Sequence, residues 1–310
     1  MIAWVVRRLG GAATTFLVAT VVVFVVTFAL PGDPARAVAG GRKVSPSTLA
    51  AIRARYHLDE SLPSQYLHWL GRLVRGDLGE SYASRRAVSD MLLSALPVTV
   101  ILLVATLFVE IVAALVVGTW VGMRRSGPTD RTVVGLCTLG IAAPVFVVAS
   151  LGQYLFGVRW GLLPVAGTDD GLVAYVLPSM VLAMAGAAFG VRIMRTEVLE
   201  QAHLPHVRTA TGKGISSGQV TRRHVVRNSL TTIVTFFGLE VGALIGGSIV
   251  VERVFNLPGV GNVIARAISQ RDNVVVLGFT MFVIAVYLVV DLLIDLFAML
   301  LDPRLRAAAW

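Results

Sequence analysis

Long apolar runs alternate with short polar, arginine-rich stretches along most of this chain. A helix that crosses a bilayer needs about 20 consecutive, mostly apolar residues. Six segments reach that length: 9–30, 96–123, 133–158, 173–191, 229–251 and 274–301. Arg7 and Arg8 precede the first segment, and Arg124, Arg125 and Arg131 fill the loop after the second. A dense Arg cluster follows the fourth, and Arg304 and Arg306 follow the sixth. Cytoplasmic loops carry the excess of Lys and Arg, so this pattern places both termini inside. The short loop 159–172 carries Asp169 and Asp170 and falls on the other side. The pattern predicts an all-α membrane protein with six transmembrane helices and cytoplasmic N and C termini. The first segment reads as a retained helix. Its apolar run is longer than the roughly 7–15 residues of a signal peptide, and the following PGDPARA is a poor cleavage site.

Residues 31–95 are external in this topology yet rich in Arg. Loops of this length largely escape the charge rule. The stretch contains helix-like matter of its own. Ser47–Tyr56 has helical apolar spacing at Leu49, Ile52 and Tyr56, and Gln65–Val74 repeats it with Leu67, Leu70 and Val74. GDLGES, at Gly76–Ser81, predicts a turn. The organisation is therefore an N-terminal segment with helix 1 (1–30), an extracytoplasmic insertion (31–95) and a five-helix core (96–310). That core includes a cytoplasmic loop at 192–228.

Composition narrows the function classes. The chain is 56% hydrophobic and 15% charged, with mean hydropathy +0.78, whereas soluble domains carry about 25% charged residues. The net charge of +9 comes from residues flanking the spans, and no aromatic-basic surface for nucleic acid appears. Cys137 stands alone, so it forms neither an internal disulfide nor a metal site. The histidines are scattered, and Pro205 separates His203 from His206, so no metal site is expected. There is no phosphate-binding GxxxxGK[ST] loop and no nucleophile–base set. The chain is not expected to be an enzyme or to hold a cofactor.

Glu110, Glu240, Asp291 and Asp295 fall inside predicted spans. Ionisable groups there are costly, which makes them functional candidates. The alternative is that each faces the bundle interior or another subunit; no Lys or Arg inside the membrane core is placed to pair with them. Glu240 precedes the small-residue run Gly242–Gly247, which allows close helix packing or a narrow conduit. PGVG at Pro258–Gly261 is a turn, with Val254, Phe255 and Leu257 making it apolar. Such a hairpin is either a plug dipping into the outer mouth or a surface loop over helix ends.

The polar loop 192–228 is too charged for hydrocarbon. Within it, Val207–Ser216 has the form of a short helix that breaks at glycine. This segment is similar to the EAA loop of ABC importer permeases. Further stretches carry the same resemblance: LPGDPARAVAG (Leu30–Gly40), YHLDESLPSQYLHWLGRLVRGDLGES (Tyr56–Ser81), RHVVRNSL (Arg223–Leu230), GGSIVVERVFNLPGVG (Gly246–Gly261) and LLDPRLR (Leu300–Arg306). Together they resemble, over essentially the whole chain, the dipeptide/oligopeptide/nickel permease family in its first-permease branch.

The resemblance implies a type I ABC importer permease fold with an external helical insertion between helices 1 and 2. It implies a multi-pass protein of a bacterial cell membrane that imports short peptides, with nickel or another peptide-like ligand as the alternative within the family. Arg208, Thr209 and Ala210 take the places of the E-A-A residues and Gly214 that of the motif glycine. The implied ATPase-coupling helix comprises Arg208, Thr209, Ala210, Thr211, Gly212, Lys213, Gly214 and Ile215. Thr211-Gly212 departs from the usual Arg-Ala, and Thr232 replaces a proline. Gly212 is expected to loosen the helix by about 1 kcal/mol relative to alanine. Glu240, Gly246, Gly247, Phe255, Pro258 and Gly259 are the implied pathway or gate residues. The implied partners are a second permease, one or two cytoplasmic ATPase domains that hold ATP and Mg, and an extracytoplasmic binding protein. A different class, the ion-coupled secondary transporter, would use Glu110, Glu240 or Asp291 as a proton site. It leaves the coupling loop unexplained.

Overall fold

The structure is a computed structural model that describes residues 2–29, 35, 44–55, 59–124 and 127–301. Most of the 30–40 motif, residues 56 and 57, residues 302–306 and the side chain of Asp295 lie outside the described residues. Among the described residues the regular structure is helical, apart from one isolated bridge between Glu80 and Ala87. Five helices are long and apolar enough to cross a membrane, six if a bent pair counts as one span. That pair is α6 (Pro128–Ala142) and α7 (Val145–Gly152, extended by a π-turn to Arg159), which meet at a bend of 102°. The third apolar segment is therefore not one straight helix. Pro144, extended at φ −62°, ψ 126°, has no N–H to donate and ends the run of helical hydrogen bonds.

The chain divides into two compact units, residues 1–99 with 258–292 and residues 100–257 with 293–308. The first holds α1 (Ile2–Ala29), α2 (Pro46–Arg55), α3 (Leu62–Val74), the start of α4 (Val88–Ala113), α12 (Val260–Gln270) and most of α13 (Asn273–Leu301). The insertion helix α3 packs on α1 through Tyr66, Trp69, Leu70 and Leu73, the i, i+3, i+4, i+7 stripe. The expected stripe of Leu67, Leu70 and Val74 is corrected here, because Leu67 and Val74 are 65% and 80% exposed. The aromatic pair wins because it buries more area and satisfies its polar tip. Trp69 lies 5.6 Å from the Phe24 ring, and the Tyr66 hydroxyl is 2.8 Å from Thr20 Oγ1.

The predicted turn after α3 forms, with Asp77 Oδ1 accepting the Gly79 N–H at 2.8 Å. Ser81 then donates to the buried Asp272 at 2.6 Å, and the Ala83 N–H reaches the same carboxylate at 3.1 Å. Asp272 also stands at the N-terminus of α13, a position that favours a carboxylate. Asp291 carries a further correction. It pairs with Arg8 of α1 at 3.3 Å, so a basic side chain does meet an acid on a predicted span.

The second unit is organised by small residues. The α4 helix continues through a π-turn (Ala114–Gly118) into α5 (Thr119–Met123), and this rod lies against α8 (Val176–Ala202). A Cβ on Gly118 would sit 2.7 Å from Met194 Cβ and 2.9 Å from the Val191 carbonyl. A Cβ on Gly122 would meet Val198 at 2.8 Å, and one on Gly190 would meet Ala114 at 3.1 Å. A Cβ on Gly186 would run into the Glu110 carboxyl. The contacts therefore step 110–186, 114–190, 118–194 and 122–198. Both partners advance by four, so the helices run parallel along a small-xxx-small seam. On another side of α8, Cys137 of α6 packs with Ala188 and Val191.

Replacing Gly118 by Val is expected to overpack the seam and lower stability by roughly 1–3 kcal/mol. Gly135→Ala, on an open face of α6, should be neutral or slightly stabilising. Thermal melting of both variants in detergent checks this. Equal melting temperatures would mean that the seam tolerates a side chain.

Candidate coupling site

Leu204 is extended at φ −67°, ψ 149°, and Pro205 opens the next helix, α9 (Pro205–Gly212), where a missing N–H costs nothing. The Thr209 and Thr211 hydroxyls donate back to the Pro205 and Val207 carbonyls, each at 3.0 Å. At the other end Gly214 adopts φ +78°, which is left-handed backbone. Its N–H bonds the Thr211 carbonyl at 3.0 Å, and the Ile215 N–H reaches the Ala210 carbonyl at 3.4 Å. That pair of bonds is a Schellman motif. Gly212 is the last helical residue, where a glycine weakens the helix less than in its interior. The expected loosening of the helix by Gly212 is therefore an overestimate.

The eight residues expected to couple divide between two faces. Ala210 is buried beside Val207, in one cluster with Met194 and Val198 of α8, and Ile215 packs against that cluster. Ala114, Val220 of α10 (Ser217–Val220), Val225 of the π-turn that follows it, and Ile233 and Phe237 of α11 (Arg227–Val254) complete it. Arg208, Thr209, Thr211, Gly212, Lys213 and Gly214 are exposed. The helix is thus fixed by an apolar underside and presents a short polar, cationic face. At its start the Asn228 amide donates to His206 Nε2 at 3.3 Å, and the rings of His206 and His224 are 6.5 Å apart. Among the described residues no group of three or more His, Cys, Asp or Glu could hold a metal ion.

Sequence reasoning missed the ion pair that ties α8, on which this segment packs, to α6. Arg195, on α8, donates through Nε and Nη2 to both oxygens of Asp130, in the first turn of α6; the Nη2 bond is 2.7 Å. Such bidentate pairs are strong and geometrically specific. The usable signal was an acid in the first turn after the Gly127-Pro128 helix start, opposite a basic cluster.

The implied gate residues are not gathered into one site. Glu240 is half-buried, about four turns before Phe255 along α11. A Cβ on Gly247 would face Leu182 at 3.1 Å, whereas Gly246 has open space beside it. Phe255 is 1% exposed, and its carbonyl accepts the Gly167 N–H at 3.0 Å. Gln153 Nε2 donates to the neighbouring Val254 carbonyl at 3.1 Å. Phe255 and Leu257 are therefore interior anchors and not a free apolar tip. Pro258 is exposed, and the buried Gly259 precedes α12 in extended conformation. Glu110 is fully buried, and neither of its carboxyl oxygens has a hydrogen-bond partner among the described residues.

Asp130→Asn leaves a half-buried guanidinium without its counter-charge and is expected to cost about 3 kcal/mol. Arg195→Lys should not rescue the fold fully, because lysine cannot fork across both oxygens. Gly214→Ala should cost about 1–2 kcal/mol through left-handed strain. Melting curves of the three variants check these values; an unchanged Arg195→Lys melting temperature would show that the fork is dispensable.

Comparison with known proteins agrees along the whole length. Residues 114–307 match the family model described as the binding-protein-dependent transport system inner membrane component. Residues 1–103 match the N-terminal model for membrane components of the same systems. The glutathione transport system permease protein GsiC of Pectobacterium atrosepticum is 34% identical over 306 residues, covering 99% of each chain. A Brucella ovis protein provisionally named a peptide permease is 35% identical over 317 residues, also covering 99% of each. GsiC of Salmonella typhimurium is 33% identical over 306 residues, with the same coverage. The chain belongs to the family of inner membrane components of binding-protein-dependent transport systems, as a multi-pass ABC importer permease of the peptide and glutathione branch.

Proposed function

We propose that this chain imports short peptides or glutathione-like peptides, forming the conduit together with a second permease. The relatives named for glutathione and for peptides support this substrate class. ATP and Mg bind and react in partner ATPase subunits, and this chain supplies no cofactor site. The observation that carries the coupling role is the two-faced helix α9. Its buried Val207 and Ala210 fix it to the bundle, and its exposed Arg208, Thr209 and Lys213 meet an ATPase groove.

Transport proceeds by alternating access. ATP binding draws the partner ATPases together, and their grooves displace α9. The rigid cluster under α9 passes the displacement to α8 and α11. Both termini and α9 are cytoplasmic, and residues 31–95 are external and meet the binding protein. A path with few fixed charges suits zwitterionic peptides, so the binding protein sets most of the selectivity. Glu240, Gly246 and Gly247, all on α11, line the path, and the buried Phe255 anchors the hairpin whose Pro258 and Gly259 close it.

The test is co-purification from mild detergent of a tagged wild type and an Arg208→Glu, Gly214→Asp double variant. The wild type should retain both the ATPase and the second permease. The variant should lose the ATPase and keep the permease. Retention of the ATPase by the variant would refute the coupling role of α9.

A further inference from the structure

The first unit contains a cavity of about 700 Å³ that plays no part in the coupling step. Its position along the spans is defined by residues on both sides. Phe24 and Phe28 close the span Val6–Phe28, and Asn273, Val274 and Leu277 open the span Asn273–Ile294. The cavity therefore lies where hydrocarbon gives way to headgroups. Its inner wall is apolar and buried, built from Phe24, Trp69 and Leu277 with the half-buried Phe28. Its rim carries the exposed Arg72 and Arg75 on the last turn and cap of α3. Neither guanidinium makes a hydrogen bond or ion pair with a described residue.

Charge decides the ligand class. The lining includes Arg72, Arg75 and Arg85 against Asp77 and Glu80, so it is net cationic. One oxygen of Asp77 is already engaged by the Gly79 N–H. Aromatic rings below and guanidinium groups above match an amphiphile with an anionic head. Arginine forks bind phosphate oxygens in pairs, and aromatic side chains at this depth accept both acyl and interfacial atoms. On its open side α1 presents Val21, Val22, Val25 and Val26, all exposed apolar residues, as a lipid-facing surface beside the cavity.

We propose that this cavity binds one anionic phospholipid. Its phosphate sits on Arg72 and Arg75, and an acyl chain runs along Phe24, Phe28 and Trp69. The site is separate from the coupling helix and from the implied gate residues.

The assembled transporter, in nanodiscs of phosphatidylcholine containing a minor fraction of phosphatidylglycerol, gives the test by native mass spectrometry. Wild type should retain phosphatidylglycerol over phosphatidylcholine. Arg72→Gln with Arg75→Gln should reduce that preference by about tenfold, the scale of a lost charge-assisted contact. Arg86→Gln, on an exposed residue outside the lining, should leave it unchanged. Equal preference in the double variant overturns the proposal. Displacement of the lipid by a free dipeptide overturns it in favour of a peptide site. Unchanged lipid retention with loss of binding-protein-stimulated ATP hydrolysis overturns it in favour of a protein-docking surface.

Discussion

Close approach of two parallel helices along the Ala114, Gly118, Gly122 seam is the constraint on which the second unit depends. Lipid offers no hydrophobic drive for helices to associate, so packing and small residues must supply it. At Gly118 and Gly122 there is no room for a methyl group, and the opposing helix contributes Gly186 and Gly190 at the same spacing. Helix α9 and the turns beside it hang from that contact. Met194 and Val198 face the seam on one side and bury Val207 and Ala210 of the coupling helix in the same cluster.

This arrangement makes α9, the proposed coupling helix, an extension of the bundle and not a tethered loop. Its apolar underside and the Schellman closure at Gly214 fix α9 itself, and the Asp130–Arg195 pair ties α8, on which it packs, to α6. A push on α9 then moves packed helices as a body, because a close-packed interior transmits displacement with little compression. Glu110 sits inside the seam with Gly186 against its carboxyl. Its burial without a hydrogen-bond partner among the described residues is a local departure from an otherwise apolar interface.

Much of this was legible in the sequence. Span-length apolar runs and flanking arginines are one-dimensional signals, and they marked the membrane class and the polar loop. The glycine at 214 marked the end of the coupling helix, because left-handed backbone selects glycine there. Tertiary choices were less legible. On α3 the spacing allowed Leu67 and Val74 to face inward, yet Tyr66 and Trp69 take that place because α1 offers Phe24 and Thr20 to meet them. The Asp130–Arg195 and Arg8–Asp291 pairs join residues far apart in the chain, which no local pattern reports. The bend between α6 and α7 was signalled by Pro144, but an apolar run continuous through it hid the break. The buried Phe255 likewise reads as an apolar tip until Gly167 and Gln153 are seen to tie down its hairpin.

The central claim is that α9 moves as one body with the helices it packs on. It is tested most directly by electron–electron double resonance between spin labels at Thr211 of α9 and Thr235 of α11, a helix on which α9 packs, both exposed, with Cys137 replaced by alanine. The account predicts one distance distribution in the nucleotide-free and ATP-trapped transporter. A shift of about 5 Å, one helical turn of sliding, would show that α9 moves independently and would contradict it.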